Sequence, residues 1–340
     1  MASSSPHRNG AVIGIDLGGT KLLAGLFNSE DVLIKREYVL VGSLSSDDLL
    51  ETMAATVRQL ARESSEPVVG VGYGLPATID QRTGIAVAAA NLPIKDLRIR
   101  EELQRRTGLP TYIENDANVA ALAEQRRGCG AGSVDDMIMV TLGTGFGGGI
   151  IIQGRIFNGA IGTGTELGHM SIDRNGPPCT APNCPNVGCV EGFCSGSALA
   201  RDLRNFIERH PDSPLAQSVA DGSPAKGELV VQHAHDGDPD AVGLLHRMGE
   251  NLGVALANFV NIFNPEMICL GGGLVPAMQW VLPIATEIVR ERAMPPNNDF
   301  VHIVPAVFGS DAGMVGAAIL ASDGVRRGGR IVAGANVVDD

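Results

Sequence analysis

The stretch Ala11-Val12-Ile13-Gly14-Ile15-Asp16-Leu17-Gly18-Gly19-Thr20-Lys21-Leu22-Leu23-Ala24-Gly25-Leu26-Phe27 decides the fold. An apolar run closes on an acidic residue, turns through glycines and resumes as a second apolar run. A third run, Asp31–Leu40, follows, and three short runs joined by glycine and acidic turns predict an antiparallel meander. The pattern returns further on. Val140-Thr141-Leu142-Gly143-Thr144-Gly145 matches Ile15-Asp16-Leu17-Gly18-Gly19-Thr20 at an offset of 125 residues, with Asp136–Leu142 and Gly147–Ile152 as its flanking strands. A single repeat at so long an offset predicts duplicated lobes rather than a solenoid. The chain length of 340 residues, above the usual size of one core, points the same way.

Between the repeats, Ser45 and Asp48 form a capping pair ahead of Leu49, Leu50, Met53, Ala54, Val57, Leu60 and Ala61, which is helical spacing. Val68–Tyr73 reads as a strand, Gly74-Leu75-Pro76 as a turn, and Tyr112-Ile113 as a short strand entering the helix Ala117–Arg127, which Gly128 stops. The later part is more helical: Ser197–Glu208, Ala241–Phe263, Pro276–Arg292 and Gly309–Leu320, with a strand at Met267–Leu270. Ala321–Asp340 lacks a strong period and reads mostly as tail, as does Met1–Gly10.

Composition narrows the function classes. The net charge of −12 argues against a nucleic-acid or anionic-membrane surface. Apolar stretches such as Ile150–Ile152 and Val254–Ala257 are far too short to span a bilayer. The polar opening residues lack the apolar segment of a secretory signal, so a soluble cytoplasmic protein is expected. Glycine is in excess, 44 of 340 residues, which suits tight turns and backbone approaching a ligand.

Three constellations carry chemistry. The turns after Asp16 and Leu142, with a third glycine cluster at Gly271-Gly272-Gly273, present backbone N–H groups that phosphate oxygens can reach. Asp16 could hold Mg²⁺ directly or through water. Gly143-x-Gly145-x-x-Gly148 matches the dinucleotide fingerprint literally, with Glu166 placed 18 residues later. However, Gly149-Ile150-Ile151-Ile152 follows as strand where that fingerprint needs a helix. Next, Glu114-Asn115-Asp116-Ala117-Asn118 joins a strand end to a helix start. Asp116 there is by default a helix cap, and alternatively a general base facing a crevice.

The third is His169 with Cys179, Cys184 and Cys189, in a loop broken by Pro177, Pro178, Pro182, Pro185 and Gly188. Thiolates and an imidazole suit a tetrahedral Zn²⁺ that folds a loop with no core of its own. Spacing leaves the fourth ligand open between His169 and Cys194, which continues the interval of five. The other histidines (His210, His233, His235, His246 and His302) show no patterned partner. Trp280 reads as core, and the charges around Arg201–Arg209 read as a solvated face.

Together Asp16–Lys21, Glu114–Asn118, Leu142–Gly149, Glu166-Leu167-Gly168-His169-Met170 and Gly188-Cys189-Val190-Glu191, in this order, make the chain resemble the ROK family of sugar kinases and repressors over about Val12–Leu320. The resemblance implies an α/β, actin-like ATPase (ribonuclease H-like) duplicated fold, two lobes with a cleft between them. The smaller lobe would hold 10–117 and about 311–335, and the larger 118–310 with a zinc loop at 169–191; 1–9 and 336–340 would be flexible tails.

The activity it implies is ATP-dependent phosphorylation of D-glucose at the 6-hydroxyl, with Asp116 as general base. Asn91, Asn115, Asp116, Glu166, His169 and Glu191 would bind the sugar. Asp16, Gly18, Gly19, Thr20, Lys21, Gly143, Thr144 and Gly145 would surround the ATP phosphates and Mg²⁺, with Gly271, Gly272 and Gly273 near the adenosine. Structural Zn²⁺ would be held by His169, Cys179, Cys184 and Cys189, and a homodimer is the default assembly.

The chain departs from the family at three places. Thr180-Ala181-Pro182-Asn183 lengthens the usual Cys-x-Cys, Pro76-Ala77 replaces Pro-Gly, and no Trp follows Asn91-Leu92. Other hexoses (N-acetylmannosamine, N-acetylglucosamine, fructose, mannose) or polyphosphate as donor stay open. So does a non-enzymatic sugar-responsive regulator, although about ten residues before the first strand leave little room for a DNA-binding domain.

Overall fold

The computed structural model describes residues 9–42, 44–89, 92–181 and 184–328. In chain order the elements are β1 (Ala11–Leu17), β2 (Lys21–Phe27), β3 (Leu33–Leu40), α1 (Ser46–Glu63), β4 (Val68–Leu75), β5 (Ala77–Asp80), β6 (Ile85–Ala89), β7 (Lys95–Leu97), α2 (Ile99–Thr107), β8 (Thr111–Asn115) and α3 (Asp116–Arg127). There follow β9 (Met137–Leu142), β10 (Phe146–Ile152), β11 (Arg155–Ile156), α4 (Gly196–Arg209), α5 (Pro214–Ala220), α6 (Gly227–His235) and α7 (Pro239–Phe263). The last are β12 (Met267–Gly271), α8 (Met278–Arg292), α9 (Asn297–Phe300), β13 (His302–Pro305) and α10 (Ala312–Arg326). The chain divides into two compact units. One takes the described residues up to Asp135, Gly149–Thr165 and those from Val307 onward; the other takes Asp136–Gly148 and Glu166–Ala306.

The first unit is built on a sheet of order β3-β2-β1-β4-β8. β1 and β2 form the expected hairpin, closing at Leu17 opposite Leu22, while β4 runs parallel to β1 and β8 parallel to β4. Ile13, Ile15 and Leu17 of β1 face α1, whose Leu49, Met53, Val57 and Leu60 complete one core. The opposite face is nearly bare. Val68-Val69-Gly70-Val71-Gly72-Tyr73-Gly74-Leu75 puts glycine at every second residue, and a strand's period of two sends all three to one side. α10 lies directly on that side. A Cβ on Gly14 would run into the carbonyl oxygen of Met314, and one on Gly72 into that of Ala317.

The second unit repeats the plan. β9, β12 and β13 form a parallel ladder, with Gly271 opposite Thr141 and Leu270 opposite Pro305. β9 turns back into β10 as β1 does into β2, and the far end of β10, assigned to the first unit, pairs with β11. The repeat at 125 residues is therefore a repeat of topology. α7 and α8 pack closely: a Cβ on Gly253 would lie 2.5 Å from the Cβ of Ile288.

The structure differs from the sequence reading in several places. The unit boundaries do not fall at 117 and 311. α3 belongs with the first unit because it packs on α10, where a Cβ on Gly316 would meet the Val119 carbonyl. Gly149–Thr165 joins the same unit, with Gly149 against the carbonyl of Ala117. α10 runs to Arg326 instead of ending at Leu320; Ala321 and Ser322 are buried, and Gly324 lies against the Tyr112 ring, so small residues there mean contact rather than tail. The sheet β5-β6-β7 and helix α2 went unread, since Ile85–Ala89 is short and α2 buries only Ile99 and Leu103. The expected flexible tails, except Asn9, lie outside the described residues. Among the described residues no helix is long and apolar enough to cross a membrane.

Gly72→Ala should therefore destabilise the protein by about 3 kcal/mol or more, the upper end for overpacking against backbone. Gly243→Ala, in α7 with nothing within 4 Å of the added carbon, should instead gain roughly 0.5–1 kcal/mol. Urea unfolding of the two variants checks both signs.

Candidate functional site

In the first unit the parallel strands β1, β4 and β8 end together, with Asp16 opposite Gly74, and Leu75 opposite Asn115. Ligands of open α/β sheets bind outside such carboxyl ends. Two carboxylates meet there. Asp16 lies against Gly313 at the start of α10, where any side chain would overlap its carboxylate. Gly74 lies beside both, 3.6 Å from Asp16 Oδ1 and 3.7 Å from the Asp116 Cα as measured from the position of an added Cβ, and it must be glycine because Val119 of α3 would stand only 2.6 Å from that carbon. Burial first, and the negative charge of Asp116 second, push the Asp16 carboxyl up to about 7, against the opposing pull of Lys21. Gly19, Thr20 and Lys21 are exposed on the β1–β2 turn, which the Gly18 N–H closes on the Lys21 carbonyl at 2.7 Å.

Asp116 is not the helix cap. Asn115 caps α3, its Oδ1 accepting from the N–H of Ala117 at 2.9 Å and of Asn118 at 3.4 Å. Asp116 is the first helical residue, half-buried, with Oδ1 accepting from the Ala117 N–H at 2.9 Å. Behind the junction lies a buried network that carried no assignment in the sequence reading. Glu114 Oε1 accepts from the Asn115 N–H at 2.8 Å and Asn118 Nδ2 at 3.0 Å, and its Oε2 accepts from Asn158 Nδ2 at 2.8 Å. Burial raises the pKa of Glu114 while these donors oppose it. Only the run Glu-Asn-Asp-Ala-Asn hinted at this; Asn158 had no local signal. Asn91 lies outside the described residues.

In the second unit the glycine turns come together. Leu274 N–H donates to the Leu142 carbonyl at 2.9 Å, so Gly271–Gly273 adjoin the Gly143-Thr144-Gly145 turn. Gly272 has φ +92°, and a Cβ on it would meet the Leu142 backbone. α4 starts against the same turn, its Gly196 and Ser197 N–H groups donating to the carbonyls of Gly143 (2.7 Å) and Thr144 (3.2 Å). The strand Phe146–Ile152 follows the turn, which excludes the dinucleotide fingerprint here.

Glu166, His169 and Glu191 belong to this unit, as Asn115 and Asp116 belong to the first. His169 ends a short 3₁₀ turn, Leu167–His169, and Glu191 occupies another, Val190–Gly192. Glu191 is buried between two donors: the Phe146 N–H reaches Oε2 at 3.0 Å and Thr180 Oγ1 reaches Oε1 at 2.8 Å. A Cβ on Gly145 would stand 2.6 Å from Oε2, so this carboxylate needs the glycine. Thr180, one of the residues that lengthen the cysteine spacing, thereby orients Glu191.

The loop from 169 to 191 is folded by bridges between Ser171 and Cys189 and between Pro178 and Val187. Gly188 turns it at φ +65°, against the Asp173 carbonyl. Within it the ligand atoms of His169, Cys179, Cys184 and Cys189 all lie within 4.8 Å of one another. His169 Nδ1 is 3.4 Å from Cys179 Sγ, and the sulfurs of Cys184 and Cys189 are 3.8 Å apart. A tetrahedral Zn²⁺ with usual bond lengths needs ligand–ligand edges of about 3.6–3.8 Å, which the two separations approach, so the donor set and its spacing suit one ion. His169 Nε2 stays outside the cluster, 3.9 Å from Glu166 Oε2. Cys194 is not part of it. It is fully buried, its thiol directed at the Met248 carbonyl of α7, while the group that converges contains His169.

The chain is similar to known sugar kinases and repressors over most of its length. The ROK family matches residues 12–324. The glucokinase of Thermotoga maritima is 34% identical over 312 residues, 90% of this chain and 96% of that protein. The xylose repressor of Caldicellulosiruptor bescii is 30% identical over 291 residues, 84% of this chain and 71% of the repressor. The crystal structure of a ROK family glucokinase from Streptomyces griseus, in complex with glucose and AMPPNP, is 32% identical and superposes with a TM-score of 0.76 over 93% of this chain and 100% of that one. The two related sheets are thus those of the duplicated actin-like ATPase fold, and the chain belongs to the ROK family.

Proposed function

We propose that the chain is a sugar kinase that transfers the γ-phosphoryl group of ATP to the 6-hydroxyl of D-glucose, with Asp116 taking the hydroxyl proton. The observation that carries this reading is the pair of carboxylates, Asp116 and Asp16, at the carboxyl ends of β8 and β1. Phosphoryl transfer needs little covalent help from a protein; it needs one base for the attacking hydroxyl and neutralisation of the phosphates. Asp116, stationed by the Asn115 cap and the Glu114 network, supplies the base. Asp16 would hold Mg²⁺, directly or through water, and that ion would offset phosphate charge. The exposed turns Gly18-Gly19-Thr20-Lys21 and Gly143-Thr144-Gly145 would offer main-chain donors to the phosphates, with Gly271-Gly272-Gly273 near the adenosine. Asn115, Glu166, His169 and Glu191 would bind the sugar hydroxyls.

Zinc at His169, Cys179, Cys184 and Cys189 would be structural, fixing the loop. Holding the ion through Nδ1 would leave His169 Nε2 for a sugar hydroxyl or for Glu166 and would fix the orientation of the ring. Relatives named glucokinase support glucose as the sugar. A second reading, a sugar-responsive regulator, is favoured by the likeness to the xylose repressor, and turnover separates the two.

A coupled assay over six hexoses with ATP and polyphosphate should give turnover with glucose and ATP; no phosphorylated product with any pair refutes the kinase. Asp116→Asn should lower kcat by ~10²–10⁴-fold, the usual effect of removing a general base, while calorimetry still registers glucose binding. Near-normal turnover would remove Asp116 from the mechanism. Chelation, or Cys184→Ala, should release about one zinc per chain and abolish glucose affinity, read by metal analysis alongside calorimetry.

The raised pKa of Asp16 has a definite sign. The folded state holds its proton up to about 7, while an unfolded aspartate loses it near 4, so its ionisation costs stability as pH rises from about 4 to 7. Without divalent cations, Asp16→Asn should be more stable than the parent at pH 8, and the difference should vanish by about pH 4 in denaturant titrations.

A further inference from the structure

Helices α4 and α7, with the loop that precedes α4, line a cavity of about 650 Å³ in the second unit. In a chain of net charge −12, its lining holds three guanidinium groups, Arg201, Arg209 and Arg247, against one carboxylate, Asp202. Arg201 is engaged. Its Nε and Nη2 donate to Asp202 Oδ1 at 2.9 and 2.7 Å, and its Nη1 donates to the Gly192 carbonyl at 2.7 Å. The other two are open. Arg209 uses only Nε, on the Asn205 carbonyl at 2.9 Å, and among the described residues the guanidinium of Arg247 has no hydrogen-bond or ion-pair partner. Two unspent planar forks lining one cavity are suited to a phosphate dianion, which guanidinium groups grip through paired N–H donors.

The rest of the lining asks for more than an inorganic ion. Phe206 stacks on His210, with ring centroids 4.4 Å apart and planes at 21°, giving the cavity an aromatic wall. The side-chain amides of Asn205 and Asn251 also line it, and Asn251 spends one donor on the Arg247 carbonyl at 2.9 Å. Amides donate to and accept from hydroxyls and a carboxylate accepts from them, whereas a carboxylate only repels a bare anion. Pockets that pair a few polar groups with an apolar wall take small organic ligands.

We propose that this cavity binds a phosphorylated hexose, with phosphate on Arg209 and Arg247, at a site separate from the residues assigned to catalysis. The choice of ligand rests on the kinase reading, since a hexose phosphate is the product class of that reaction. Arg201, which lines the same cavity, holds the carbonyl of Gly192, the residue after Glu191, so an occupant of the cavity lies beside the turn that carries Glu191.

Calorimetric titration of the full-length, zinc-replete chain with glucose 6-phosphate tests this, with Arg209→Ala/Arg247→Ala as the partner arm. Both side chains are exposed, and circular dichroism checks that the double variant folds. A glucose 6-phosphate binding component should weaken by ~10- to 100-fold in the double variant, as expected for lost charged hydrogen bonds, with glucose affinity and kcat unchanged. If the kinase reading alone is wrong, no turnover occurs in either protein and that component is still lost. Identical titrations of parent and double variant, or no binding to the parent, overturn the proposal. Inorganic phosphate binding to the parent as tightly as glucose 6-phosphate overturns the hexose part of it.

Discussion

The architecture of the first unit depends on glycines at the points of a sheet face where a helix comes closest. Gly14 and Gly72 let α10 approach until its carbonyl oxygens would touch any added Cβ, Gly70 makes room for Val325 of the same helix, and Gly74 makes room for Val119 of α3. That approach does more than bury surface. It carries Gly313 to Asp16 and Gly316 to α3, so one helix settles both the acid at the end of β1 and the helix that begins with Asp116. With side chains at these positions the layers would stand further apart, and the two carboxylates would lose the wall that desolvates Asp16.

In the second unit Glu191 has the comparable part. One carboxylate joins three pieces of chain that share no local sequence: the glycine turn through the Phe146 N–H, the cysteine loop through Thr180, and the 3₁₀ turn it belongs to. Its two oxygens are both occupied, so its position reports the state of the whole assembly. The cysteine loop has little core of its own, and what orders it locally is two isolated bridges, Gly188 and the convergence of four ligand atoms. An ion there would be a fold-forming part, as it is in other loops too small to bury enough apolar surface.

Much of this was legible beforehand, for a physical reason. Strands of a parallel ladder are apolar along their whole length, and the glycines that end them are unambiguous, so β1, β4, β9 and β12 could be read from their residues. The duplicated hairpin was visible as a repeated turn. What escaped was structure made from weak local signals. The β5-β6-β7 sheet uses short runs of alanine, and the polar face of α2 hides its two core residues. Asn115 and Asp116 are adjacent and both favour helix starts; only the geometry assigns the cap to the first and leaves the second as the first residue of the helix. The Glu114–Asn158 bond joins residues 44 apart, a pairing without periodicity. Spacing alone could not separate Cys194 from the other thiols, because burial against α7 is a property of the folded helix layer.

The contact between β4 and α10 has an evolutionary corollary. At Gly72 the helix side of it is a carbonyl oxygen, that of Ala317, which every residue type possesses, and at Gly70 it is the Val325 side chain; the strand side in both places is the missing methyl of glycine. Drift at Gly72 is thus forbidden on the strand, while the identity of residue 317 is not what that contact reads. The helix carries the same demand at its own glycines, Gly313, Gly316 and Gly324, so the two layers work as a gauge block cut on both faces, with no tolerance at the contact points.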